Sequence, residues 1–293
     1  MRQAPSPSAF FMTSATIKLF LPHGDAKRLR VGEVSNWTGK ALAAPRTELD
    51  DLLLREEAES AGVYFLFGAD PESGDALAYI GEAEVIRDRI KQHRGRDFWN
   101  AVVVFVSKDE NLTKAHIRYL ENRLLSEAKR AGRYRLENSN TTNPKLPESD
   151  REDMEVFLSR IQQVLPVLGS DLLTPISGSG KSAKPQKELL CKNKGATARG
   201  RRTEGGFVVF NGSTAVGTER PSAETQRPFV VALRKKLVKD QTLVEKDGFL
   251  VFTKDTEFDS PSAAAAVIHG GGANGLTAWR DSSGKTLKQL EES

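Results

Sequence analysis

Two tyrosines, an arginine and histidine one helical turn apart, and one misplaced glutamate are the residues of this 293-residue chain whose types and spacing point to chemistry. Tyr64 closes the tripeptide Gly62-Val63-Tyr64, and Tyr79 opens Tyr79-Ile80-Gly81. The intervening FLFGADPESGDALA reads as strand, Pro/Gly/Ser/Asp turn and strand, which sets the tripeptides on neighbouring antiparallel strands with the tyrosines side by side. Glu82 to His93 has helical periodicity, with Ile86 and Ile90 one turn apart. Arg89 and His93 form an i, i+4 pair beside that stripe and lean over the edge of the core. A solvated basic face of Arg87, Arg89 and Lys91 is the competing reading, and the upstream tyrosines count against it. Thr113 suits an N-cap for a helix to about Ala131 with Gly132 as its stop. Its apolar stripe of Ile117, Leu120, Leu124, Leu125 and Ala128 contains Glu121. A carboxylate there is costly unless it pairs, for instance with Arg118, or faces a cleft that takes a divalent cation.

These residues need a frame. Phe98–Ser107 is the strongest strand, an almost unbroken apolar run suited to the middle of a sheet. Upstream, residues 16–21 and 29–34 read as strands around a turn at His23, Gly24 and Asp25, where His23 reads as a solvated loop residue. Thr47 reads as the cap of a helix running to about Glu59. Downstream, the Asn-rich loop 134–143 carries Asn138 and Asn140, and 152–168 reads as a helix that packs back on the sheet. The expected class is α+β: a small antiparallel sheet flanked by helices, followed by a second small α+β domain. The boundaries are an N-terminal extension at 1–60, a first domain at 61–168, a Ser/Gly/Pro/Lys-rich linker at 169–187 and a C-terminal domain at 188–293. In that last part 188–191, 206–211 and 248–253 read as strands, and 227–238 and 262–268 as helices.

Composition narrows the class. Charged residues make up 28% and hydrophobic ones 38%, with a net charge of +4, which permits a nucleic-acid partner without requiring one. No apolar run approaches the roughly 20 residues that span a bilayer, and Met1 to Thr13 lacks a signal-peptide core, so the expected setting is cytoplasmic with no membrane partner. The single cysteine, Cys191, excludes an internal disulfide and a thiolate metal cluster, and reads as a small buried hydrophobe. Lys181 to Arg202 holds eight basic residues against one acid, Glu188: a solvated segment or a phosphate-tracking arm. Gly180-Lys181-Ser182 imitates a phosphate loop but has Pro175 where the first glycine belongs. Gly270, Gly272 and Gly275 have dinucleotide-binding spacing but follow an alanine-rich helical stretch instead of a strand.

In their order, GVY at 62–64, YIG at 79–81, Arg89 and His93 on a helix, and YLENRLL at 119–125 resemble the GIY-YIG nucleases over about residues 61–141, with Val63 in the place of isoleucine. The resemblance implies a metal-dependent endonuclease acting on DNA, in repair or restriction. It makes Tyr64 and Tyr79 the motif tyrosines, Arg89 the catalytic arginine, His93 a frequent additional catalytic residue, and Glu121 the acid that holds Mg²⁺ or Mn²⁺. Asn138 and Asn140 fit the late asparagine equally well, and with Gly81 and Lys91 they are taken as substrate-binding positions. The C-terminal SPSAAAAVI at 260–268, NGLTAW at 274–279 and GKTL at 284–287 are similar to a RAMA-like accessory domain of unknown function, with Leu276 where an aromatic is usual. That likeness implies a nucleic-acid-related accessory role.

In such a site Arg89 offers a fork of donors to a non-bridging phosphate oxygen, a tyrosine orients and deprotonates water, and the metal at Glu121 relieves charge on the leaving oxygen. The rival reading is a catalytically silent DNA-binding or regulatory protein on the same fold. A single site cuts both strands only by acting twice or as a homodimer.

Overall fold

The computed structural model describes residues 14–72, 74–138, 144–176, 187–203 and 205–292. It has mixed α and β structure, and the chain divides into two compact units, Met1–Thr174 and Pro175–Ser293. Asn140, most of the predicted linker and the start of the basic run lie outside the described residues.

In chain order the first unit contains β1 (Ile17–Phe20), β2 (Arg30–Val34), β3 (Gly39–Pro45), α1 (Leu49–Leu53), β4 (Gly62–Ala69), β5 (Ala76–Ala83), α2 (Ile86–Gln92), β6 (Trp99–Ser107), α3 (Lys114–Ala131), β7 (Arg135–Leu136) and α4 (Glu148–Val167). All seven strands form one sheet in the order β1-β2-β3-β6-β4-β5-β7, antiparallel except where β7 runs parallel to β5. The sheet is therefore larger than the small antiparallel one expected. Residues 17–45 supply three of its strands, and β3 pairs with β6 from Gly39 opposite Ser107 to Pro45 opposite Ala101.

β6 lies between β3 and β4 and is buried on both faces, which explains its continuous apolar run. Strand alternation sends Val63, Phe65 and Phe67 into one core with α3 and α4. It sends Tyr64 and Leu66 into a second core with Leu52, Ile86 and Ile90 of α1 and α2.

Three local expectations change. Glu82 belongs to β5, and α2 begins only at Ile86, with His93 in the short 3₁₀ turn that follows. Periodicity missed this because Ile80 and Glu82 suit a strand, while Ile86 and Ile90 alone suit a helix. The helix predicted from Thr47 to Glu59 is cut at Arg55, whose extended backbone (φ −73°, ψ 148°) separates α1 from a 3₁₀ turn at Glu56–Glu59. Its guanidinium folds forward onto the Glu57 carboxylate at 3.0 Å. The chain also stays in the first unit past residue 169: Gly169 takes φ 96°, and Leu172 and Leu173 are buried in the α3/α4 core. By contrast α3 begins with Thr113 as its N-cap, in a reciprocal capping box with His116, and ends at Gly132 in the left-handed conformation, as the sequence predicts.

The second unit holds β8 (Leu189–Asn193), β9 (Ala196–Thr203), β10 (Gly206–Val209), β11 (Thr214–Val216), α5 (Ala223–Gln226), α6 (Pro228–Lys239), β12 (Leu243–Lys246), β13 (Phe249–Phe252), β14 (Thr256–Phe258), α7 (Pro261–His269), α8 (Gly275–Ala278) and α9 (Leu287–Glu291). Two antiparallel sheets, β14-β10-β9-β8 and β11-β13-β12, share a core with Ala264, Ala265, Val267 and Ile268 of α7 and with Trp279. The described part of the basic run is the β8–β9 hairpin. Ala196, Ala198 and Gly200 of β9 face inward, while Arg199 lies 3.7 Å from Glu188 and Arg202 2.6 Å from Glu291. Cys191 is buried here, and burial pushes its thiol up to about 12.

Among the described residues no helix is long and apolar enough to cross a membrane.

Candidate active site

The register of β4 on β5 sets Tyr64 opposite Gly81 and Leu66 opposite Tyr79. The tyrosines therefore share one face, one cross-strand step apart, with their rings stacked at 6.0 Å between centroids and 24° between planes. A Cβ on Gly81 would lie 2.4 Å from both Cζ and the hydroxyl oxygen of Tyr64, so the glycine leaves the space that the tyrosine ring fills. Gly62 permits a similar approach on the other edge of β4, where a Cβ would lie 2.3 Å from the Phe105 carbonyl oxygen.

Behind the tyrosines sits His93, 5% exposed, held by a hydrogen bond of 3.0 Å from the Trp99 indole N–H to its carbonyl. Its Nε2 is 2.7 Å from the Tyr64 hydroxyl, and its ring centroid is 4.8 Å from that of Tyr79. Nδ1 is buried without a hydrogen-bond partner among the described residues. Burial first, and then the charges of Arg96 and Arg89, push the imidazole down to about 4, so it is neutral at pH 7. Burial also pushes the Tyr64 phenol up, Tyr79 adds to that, and Arg89 opposes it. Tyr64 is fully buried and Tyr79 only partly so. The Arg96 guanidinium lies over the Tyr79 ring at 5.0 Å from its centroid.

The carboxylates belong to the other side of β5. β7 pairs with Leu77 and Ala78, and Asn138 continues it with its side chain, accepting from Ile80 N–H at 3.2 Å and donating to Ile80 C=O at 2.6 Å. No described strand covers β5 past this amide clasp. Glu82 follows two residues on, on the α3 side, 3.7 Å from Arg118 Nε. Glu121 of α3 is close enough that Glu82 adds to the effect of burial in pushing its carboxyl up to about 7, against Arg89 and Arg118. Among the described residues Glu121 makes no hydrogen bond or ion pair. The arginine the sequence offers it, Arg118, is instead in contact with Glu82. Arg89, exposed on α2, acts electrostatically on Tyr64, Tyr79, Glu82 and Glu121 alike.

The structure thus brings Tyr64, Tyr79, Arg89, His93 and Glu121 to one end of β5. Lys91 is exposed on α2. Gly81 is spent on the Tyr64 ring and Asn138 on the Ile80 backbone, which makes both positioning residues for the second tripeptide. Sequence reasoning passed over Glu82 and Arg96. Alternation from Ile80 is the signal that would have placed Glu82 on the α3 face. His23 also gains neighbours, since it groups with Glu48 and Asp51. Arg28 already bonds the Glu48 carboxylate, which neutralises that group from within.

Residues 189–291, the described body of the second unit, match the family DUF4357, described as a domain of unknown function. No curated protein and no solved structure matches the chain.

Proposed function

We propose that the first unit is a metal-dependent endonuclease that hydrolyses DNA phosphodiester bonds with GIY-YIG-type chemistry. The observation that carries this reading is Glu121, a half-buried carboxylate with no hydrogen-bond or ion-pair partner among the described residues, beside a second carboxylate and within the field of the arginine that also acts on the stacked tyrosines. Ionising such a group is unfavourable unless a cation joins it, so the residues fit Mg²⁺ or Mn²⁺ held by Glu121. When bound, that cation supplies charge stabilisation at the leaving oxygen.

The protein's own residues supply the rest. Arg89, permanently charged and exposed, holds a non-bridging phosphate oxygen through two N–H donors. Tyr79, the more exposed phenol, orients the attacking water, and as the new P–O bond forms Tyr64 takes the proton that leaves the water while its own hydroxyl proton passes to neutral His93 Nε2, which ends as the imidazolium. Arg89 steadies the phenolate character that Tyr64 develops during this relay.

The test is cleavage of a panel of plain, branched, flapped and methylated DNAs with Mg²⁺ or Mn²⁺. Glu121→Gln and Arg89→Ala are each expected to lower the rate about 10²-fold or more. Undiminished cleavage by both variants overturns the reading, and metal-independent DNA binding without cleavage of any substrate favours a silent binding protein. Gel filtration of the same samples shows whether double-strand cuts require a homodimer.

A further inference from the structure

The second unit contains a cleft of about 630 Å³ whose lining includes Arg220, Arg227, Phe229, Gly271, Gly272 and Asn274 and, among the described residues, no carboxylate. Volume in this range suits a small ligand or one unit of a polymer. Its floor is made of small residues. Ala263 and Ala266 of α7 line it, and the glycine turn after that helix closes it.

Two arginines lie across that turn because the turn is glycine. A Cβ on Gly271 would lie 3.0 Å from Arg220 Cδ, and one on Gly272 would lie 3.1 Å from Arg227 Nε. Arg220 is fixed there: its backbone N–H donates to Gly270 C=O at 2.7 Å, and its guanidinium reaches Gly272 C=O and His269 Nδ1, each at 3.4 Å. Arg227 makes no side-chain hydrogen bond or ion pair among the described residues, so its charge is unspent. Phe229, the second residue of α6, is 59% exposed, among the most exposed large apolar side chains described. Asn274 uses its side-chain oxygen to cap α8 at Leu276 N–H, which leaves its amide N–H donors for a ligand. The N-terminus of α7 contributes little, because Ser260 already caps it at Ala263 N–H.

An unspent arginine beside an anchored one, an exposed flat ring, outward amide donors and an acid-free wall together match an anion joined to a planar heterocycle. We infer that this cleft binds a nucleoside phosphate, with the phosphate on Arg220 and Arg227 and the base on Phe229. The unit is either a free nucleotide or one residue of a single-stranded nucleic acid. This inference stands on the second unit alone and does not depend on the nuclease reading.

The test is an NMR titration of the full ¹⁵N-labelled chain in EDTA, which silences cleavage, with AMP and separately with an oligonucleotide of about 12 nucleotides. The Gly271, Gly272 and Asn274 amides are expected to shift. Arg227→Ala and Phe229→Ala, both surface changes, are each expected to weaken the fitted affinity about fivefold or more. Shifts with AMP identify a free nucleotide as sufficient, and shifts with the oligonucleotide alone identify the strand. The inference is overturned if these amides stay still with both probes, if neither variant alters the titration, or if Phe229→Ala alone has no effect. The readout is amide shifts in the second unit and not cleavage, so loss of this inference leaves the nuclease reading intact.

Discussion

The Tyr64 hydroxyl lies 2.7 Å from His93 Nε2, so the tyrosine of the first tripeptide and the histidine after α2, 29 residues apart, form one buried hydrogen-bonded pair. Burial makes the phenol a weaker acid and the imidazole a weaker base, and neither ionises alone near neutrality. The nearby Arg89 charge favours the phenolate and disfavours the imidazolium, so it acts on the two ends of the pair in opposite senses.

Removing either end of the pair should stop proton uptake and leave the fold in place. Tyr64→Phe and His93→Gln are expected to slow DNA cleavage about 10²-fold or more, with Tyr79→Phe comparable. Arg89→Lys should fail to restore the rate of the native protein, because an ammonium lacks the fork. Single-turnover cleavage with circular dichroism as the folding control checks all four. A Tyr64→Phe rate equal to the native one would remove this tyrosine from the chemistry.

The pH dependence of stability has two opposing parts in metal-free protein. The Glu121 carboxyl, raised from 4.5 to about 7, binds more protons in the folded state, so it erodes stability as pH rises from about 4.5 to beyond 7. The shift corresponds to a few kcal/mol at most, and partial solvent contact reduces it to about 1–2 kcal/mol. His93, lowered from 6.5 to about 4, does the reverse: its contribution is complete above about 6.5 and is lost as pH falls toward 4. Glu121→Gln should therefore raise the Tm at pH 8 in EDTA, have no effect near pH 4, and expose the acid slope of His93. Thermal melts across that range decide this, and a lower Tm for Glu121→Gln at pH 8 would contradict it.

Gly81 and Asn138 should matter through Tyr64 and Ile80. Gly81→Ala drives a methyl into the Tyr64 ring and is expected to cost about 1–3 kcal/mol. Asn138→Ala removes both bonds to the Ile80 backbone and should cost about 1–3 kcal/mol. Denaturant melts measure both. Cleavage should fall in each variant even at temperatures where it stays folded, because the β5 edge is displaced.

In the second unit the decisive polar residue is Arg234, 1% exposed. It donates to Glu219 at 2.9 Å, to Val216 C=O at 2.7 Å, and to the carbonyls of Val267 and Gly217. Arg234→Ala strands those acceptors and should destabilise this unit by about 3 kcal/mol or more. Differential scanning calorimetry should show the transition of this unit lowered, with DNA cleavage by the first unit retained at low temperature.

Much of this was legible in the sequence because it is local. The two tripeptides and the turn between them dictate adjacent antiparallel strands, the Phe98–Ser107 run dictates a strand buried on both faces, and Thr113 and Gly132 mark the ends of α3 through their caps. Tertiary structure decided what depends on contacts distant in sequence. Glu82 moved from a predicted helix into β5, because pairing with β4 continues to Ala83. Arg118 faces Glu82, which leaves Glu121 without a hydrogen bond or ion pair among the described residues. Gly81 and Asn138 turned out to hold the second tripeptide in place, and residues 17–45 completed the sheet. A one-dimensional pattern gives the face a side chain occupies, because that follows from the period of its own element. The partner it meets on that face is set by strand register and by the packing of elements far apart in sequence, and only the folded chain fixes those.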